Sequence, residues 1–111
     1  MAALRFSRRA EADLLHIGAY TLGTWGEGQA SRYLGQASRY LDDLEAGCRM
    51  LAGNPELGRP CDSIRPGLRR MERGRHVIFF RQKAGGIFIS RILHQRMLPE
   101  RRLVDDEDES L

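Results

Sequence analysis

Three histidines and a surplus of arginine carry most of the reactive chemistry in this 111-residue chain. His76 and His94 are imidazoles that can titrate near neutral pH. Seventeen of the eighteen basic residues are arginine, with Lys83 the exception. RNA cleavage through a 2′-hydroxyl needs a base for that hydroxyl, an acid for the leaving oxygen and cations around the phosphate. The arginines supply cations in abundance, and guanidinium forks also suit the carboxylates of an acidic partner. Other chemistries lack their residues. Cys48 and Cys61 show no C-x-x-C spacing, so zinc and redox motifs are unsupported. Cys48 reads as a helix core residue and Cys61 as a loop thiol. No G-x-x-x-x-G-K motif offers a phosphate cradle, and Gly85-Gly86 reads as a hairpin turn. No cofactor, metal or catalytic set is therefore assigned.

The net charge of +3 conceals an uneven distribution. Residues 1–58 are nearly balanced, residues 59–102 carry twelve basic against three acidic side chains, and residues 103–111 carry five acids and no base. The length allows one compact domain, expected over 1–103, with 104–111 an acidic tail expected to be disordered. No apolar run approaches the roughly 18 to 20 residues that span a bilayer, and Met1–Phe6 lacks a signal core, so a cytoplasmic location without membrane contact is expected.

These reactive residues must be positioned by short elements. Leu4-Arg5-Phe6 alternates as a first strand, and Ser7 offers a helix N-cap. Ala10, Leu14, Ile17 and Thr21 then fall on one face of a helix ending near Gly23. Thr24-Trp25-Gly26 breaks the pattern, with Trp25 as an anchor for a helix hairpin. A second helix from about Glu27 to Ala52 places Ala30, Leu34, Ala37, Leu41, Leu44, Cys48 and Leu51 at spacings of three and four, flanked by Tyr33 and Tyr40. Gly53-Asn54-Pro55 ends it, with a left-handed cap expected. Glu56–Gly67 reads as an ordered loop. Leu68–Glu72, Arg75–Arg81 and Ile87–Leu93 read as an antiparallel meander joined by tight turns.

Strand parity puts His76, Ile78 and Phe80 on one face and Arg75, Val77, Phe79 and Arg81 on the other. It also puts Arg91 with Ile89 and Leu93, and His94 with Ile92. Apolar residues occupy both faces of the meander, so two faces need cover. A helical hairpin covers one; the second is left to the 56–67 loop, to another copy or to a partner peptide.

The order of elements and several local runs resemble the ParE branch of the RelE/ParE toxin superfamily of type II toxin–antitoxin systems, over about residues 4 to 103. The carriers are Ser7-Arg8-Arg9-Ala10-Glu11-Ala12-Asp13-Leu14, Tyr20 through Trp25-Gly26, Asn54-Pro55-Glu56-Leu57-Gly58-Arg59-Pro60, Arg65-Pro66-Gly67-Leu68-Arg69, Gly74–Arg81, and Arg91-Ile92-Leu93-His94-Gln95-Arg96-Met97. The resemblance implies an α+β fold of order β-α-α-β-β-β, a helical hairpin on a small antiparallel sheet. It further implies a ParD-like antitoxin encoded alongside, growth arrest through DNA gyrase without hydrolysis, and operator DNA reached only through the antitoxin.

The rival in the superfamily is a RelE-like ribosome-dependent mRNA interferase, whose catalytic sets commonly use Lys or Arg with a tyrosine near the carboxyl end. No tyrosine follows Tyr40, Lys83 falls in a turn, and only His94 matches the histidine variant of such sites. A plain nucleic-acid-binding module lacks stacking aromatics, since Phe79, Phe80 and Phe88 are core candidates. Arg75, Arg81, Arg91, His94 and Arg96 are therefore the candidate residues for binding antitoxin or target.

Overall fold

A computed structural model describes the backbone of residues 3–97 and the side chains of 3–18 and 39–97. Expectations for the side chains of Trp25, Tyr33, Thr21, Ala30, Leu34 and Ala37, and for the acidic tail, lie outside the described residues. The elements are β1 (Ala3–Phe6), α1 (Arg8–Gly53), a 3₁₀ turn (Pro55–Leu57), β2 (Arg59–Pro60), β3 (Leu68–Arg73), β4 (His76–Lys83) and β5 (Gly86–His94).

Ser7 starts the helix as its sequence suggests. Its hydroxyl accepts from the Ala10 amide at 2.9 Å and donates to the Ser90 carbonyl at 2.6 Å, tying the helix start to β5. The helical backbone of α1 then continues through Thr24-Trp25-Gly26, where a break was expected. A straight helix of 46 residues would run about 69 Å. A Cβ on Gly18 would nevertheless lie 3.2 Å from Leu41 Cδ1, and Ala10 shares one core cluster with Leu51. The segment therefore doubles back between Gly18 and Leu41 and forms two antiparallel arms, the expected hairpin, with no non-helical residue between them. At the far end the expected left-handed cap does not form. Asn54 adopts φ −151° because the proline that follows disfavours the helical and left-handed alternatives, and its N–H still bonds the Met50 carbonyl.

The five strands form one sheet in the order β1-β5-β4-β3-β2. The three-stranded meander is antiparallel as read, but β1 joins β5 in parallel, making the sheet mixed. The loop after the helix is also more structured than expected. Proline sets the first residue of the 3₁₀ turn, Arg59-Pro60 pairs with Arg69-Arg70, and the Arg69 guanidinium bonds the carbonyls of Pro55 and Gly58 at 3.1 and 2.7 Å.

The core has two parts, one on each face of the sheet. On the helix side Ala10, Leu44, Cys48, Leu51 and Ala52 pack on Ile78, Phe80, Ile87, Ile89 and Ile92, with Leu4, Phe6, Leu14 and Ile17 at the margin. Burial pushes the Cys48 thiol up to about 12, so it behaves as a small apolar residue. On the other side Val77, Phe79 and Leu93 pack with Leu68, Cys61 and Ile64. The chain's own loop thus covers the second face, and Phe79 and Leu93 are each only 2% exposed. Of the three covers open to the sequence, the loop is the one the fold uses.

A bulge in the β4–β5 pairing explains one failed parity. Phe79 faces Arg91 while Phe80 faces Ile89, which leaves Ser90 as the extra residue. Ile89 and Ile92 both lie on the helix side, and Leu93 falls on the opposite one. The expected grouping of Arg91 with Ile89 and Leu93 does not survive this phase shift.

Candidate functional site

The site residues gather where β4 begins and β5 ends. His76 pairs directly with His94 across the strands, and their rings meet edge to face with centroids 5.5 Å apart. From the second arm of α1, the Tyr40 hydroxyl lies 2.6 Å from His76 Nδ1 and accepts the Arg75 amide at 3.1 Å. Gly74, at φ +61°, lets the β3–β4 turn pass beneath that ring: a Cβ there would be 2.9 Å from Tyr40. The Arg96 amide donates to His94 Nδ1 at 3.2 Å, and the Gln95 amide donates to the Arg75 carbonyl at 3.0 Å.

These bonds bear on the imidazole tautomers. His94 Nδ1 accepts from an amide, so in the neutral ring the proton sits on Nε2. Tyr40 already receives the Arg75 amide, but a hydroxyl can accept a second bond, so the 2.6 Å contact reads in either direction; when the Tyr40 hydroxyl donates, the neutral His76 ring carries its own proton on Nε2. Burial, and secondarily the charge of His94, hold His76 below the ordinary imidazole value of 6.5, with Asp13 opposing them weakly.

That depression has a sign for stability. The unfolded chain takes up this proton at a higher pH than the folded one, so its contribution is intact above about pH 6.5 and shrinks as the pH falls toward the folded value. In urea titrations between about pH 7 and 5, wild-type protein is expected to lose stability more steeply than His76→Gln. Equal slopes would mean that the proton is bound alike in both states.

Beside the histidines a cavity of about 270 Å³ is lined by Arg9, Asp13, His16, Ile17, His76 and His94, among others. Its wall includes a buried ion pair. Asp13 accepts from Arg91 Nε and NH2, both at 2.8 Å, and from the Ile92 amide at 2.9 Å. Asp13 thereby caps β5 just beyond the point where β1 ends at Phe6, pairing with Ile89.

The five candidate residues divide accordingly. Arg75, Arg91, His94 and Arg96 converge on this end of the sheet. Arg81 does not: it pairs with Leu68 and Phe88 toward the other end of β4, and its guanidinium bonds the Pro66 carbonyl at 3.4 Å. Arg91 is held by Asp13 inside the fold. Much of the basic excess in residues 59–97 is likewise spent internally, with Arg59 on Glu72, Arg73 forked onto Asp43 at 3.1 and 2.7 Å, and Arg69 on carbonyls. The exposed guanidinium groups of Arg75 and Arg96 have no partner among the described residues.

Tyr40, Asp13 and Arg9 complete the site and were missed as functional candidates. Tyr40 lies 36 positions before its histidine, and Asp13 lies 78 before Arg91. No local spacing signals either pair. Among the described residues no group of three or more His, Cys, Asp or Glu could hold a metal ion, and no helix is long and apolar enough to cross a membrane.

Known proteins share this architecture. The family model described as the ParE toxin of the type II toxin–antitoxin system parDE matches residues 4–99. Toxin ParE1 of Mycobacterium tuberculosis is 40% identical over 98 residues, covering 87% of this chain and 93% of the relative. Toxin ParE1 of Caulobacter vibrioides is 39% identical over 97 residues with the same coverage, and Toxin ParE of Escherichia coli is 33% identical over 106 residues, covering 95% and 96%. Among solved structures, a chromosomal ParDE toxin–antitoxin system from P. aeruginosa matches with TM-score 0.66 and 27% identity, over 85% of this chain and 96% of that one.

Proposed function

The chain belongs to the ParE toxin family of type II toxin–antitoxin systems, and on that premise we propose that it arrests growth by inhibiting or poisoning DNA gyrase and is neutralised by a directly bound ParD-like antitoxin. The observation carrying this reading is the continuous family match over residues 4–99, which takes in α1 and nearly all of the described sheet. The protein acts in the cytoplasm, where gyrase is found, and contacts operator DNA only through the antitoxin. Arg75 and Arg96, exposed and without partners among the described residues, offer forked donors to an acidic antitoxin segment.

The site geometry favours binding over catalysis. RNA cleavage would require one imidazole nitrogen free to accept a proton and another ready to donate one. With the Tyr40 hydroxyl donating to His76, both Nδ1 atoms are occupied by internal donors and both Nε2 atoms carry protons, so the neutral pair offers two donors and no base. Inducing the toxin without antitoxin is expected to stop division and trigger a DNA-damage response, with cellular transcripts intact. Purified protein is expected to disturb gyrase supercoiling or cleavage. A normal gyrase assay at excess toxin would overturn the gyrase reading, and ribosome-dependent transcript cutting abolished by His94→Ala would replace it with the interferase.

A further inference from the structure

We propose that the cavity at the ends of β4 and β5 receives a single carboxylate side chain from the antitoxin, held between the Nε2–H groups of His76 and His94. This assignment rests on the antitoxin reading above and specifies one contact within it.

Three observations carry it. First, with the Tyr40 hydroxyl donating to His76, both rings carry Nε2–H donors that lack an acceptor among the described residues, because every internal bond these rings make goes through Nδ1. Partly buried donors without acceptors are costly, and a ligand oxygen would satisfy them. The rings are 5.5 Å apart between centroids, close enough for one carboxylate, taking hydrogen bonds of about 2.8 Å on each oxygen, to span both.

Second, the charge of the lining suits a monoanion. In the wall Arg91 and Asp13 offset each other, and the exposed guanidinium groups of Arg75 and Arg96 bring positive charge to this end of the sheet. A phosphate dianion would ask for more charge than neutral histidines supply. Third, beside a further imidazole, His16, the wall carries the apolar side chains of Ala12, Ile17, Ile92 and Met97. Aspartate or glutamate brings methylene carbon to such a wall, whereas inorganic phosphate brings only polar oxygens. At about 270 Å³ the cavity takes one side chain and not a folded element.

The test has two arms. In the first, the imidazole nitrogens of the wild-type toxin are followed by long-range ¹H–¹⁵N NMR while sodium acetate or inorganic phosphate is added. Acetate is expected to shift the Nε2 signals of both His76 and His94; a response to phosphate alone, or to neither, overturns the proposal. In the second, affinity for the cognate antitoxin is measured for wild type, His76→Phe, His94→Phe and the double variant, each checked for a native thermal transition. The double variant is expected to bind about ten- to a hundredfold more weakly. Replacing the responsible antitoxin acid by its amide should then cost little further. Unchanged affinity in a folded double variant overturns the carboxylate contact while leaving the antitoxin reading intact. Failure of wild-type toxin to bind the antitoxin at all removes both.

Discussion

Replacing Asp13 with alanine is expected to remove about 3–5 kcal/mol of unfolding free energy, a large share of the roughly 5–15 kcal/mol available to a domain of this kind. The side chains of Asp13 and Arg91 are each only 10% exposed. Removing the carboxylate takes from the Arg91 guanidinium, in a low-dielectric setting, the charge it forks onto, and the Ile92 amide loses its acceptor at the same stroke. Arg91→Met is expected to be comparably damaging, because it strands the carboxylate instead.

The paired change Asp13→Leu with Arg91→Met separates the two effects. Replacing both members of a buried ion pair by apolar residues is often neutral or better. Here the Ile92 amide would still be orphaned, so recovery should be incomplete by about 1–3 kcal/mol. Urea midpoints at constant slope measure all three variants. A loss under about 1 kcal/mol for Asp13→Ala would show that the pair behaves as a solvated surface contact.

The second large effect is expected from a single methyl group at Gly86. A Cβ there would fall on the Ala3 carbonyl oxygen and lie 2.6 Å from both the carbonyl carbon and the amide nitrogen of that residue. These are backbone atoms, held by the β1–β5 pairing and by the Ala3 amide bonding the Gly85 carbonyl. Extra bulk in a well-packed interior costs about 1–3 kcal/mol when side chains can shift, and Gly86→Ala should reach or exceed the top of that range because they cannot. The expected outcome is undocking of β1, with Leu4 and Phe6 leaving the core margin.

Gly85 is the built-in control. It has φ +80° but nothing within 4 Å of the point a methyl group would occupy, so Gly85→Ala should cost only its backbone strain, about 1 kcal/mol. Hydrogen exchange on the Leu4–Phe6 amides would read the difference directly. Equal protection in the two variants would mean that β1 tolerates the approach.

How far the chain could be read beforehand depended on range. Ser7 announced its cap, Leu44, Cys48 and Leu51 announced a buried helical stripe, and the strand limits fell within about two residues of their places, because each signal is local. The parallel docking of β1 onto β5 was hidden, since register between elements so far apart in the chain leaves no periodic trace. Ser90 looks like any strand residue, yet its bulge inverted the face of everything after it. Arg91 was a sound candidate by type, as a guanidinium in the basic half, and only its approach to Asp13 revealed an occupation within the fold. The histidine pair was visible as two titratable residues, but the tautomers that define its chemistry come from Tyr40 and the Arg96 amide, which no spacing rule connects.

The loop that carries Cys61 and Ile64 over the outer face of the sheet also bears on what a partner is left to do. Because those residues bury Val77, Phe79 and Leu93 from within the chain, that face asks no second molecule for cover. On the proposed toxin–antitoxin reading, a toxin parted from its antitoxin keeps this face dry without it.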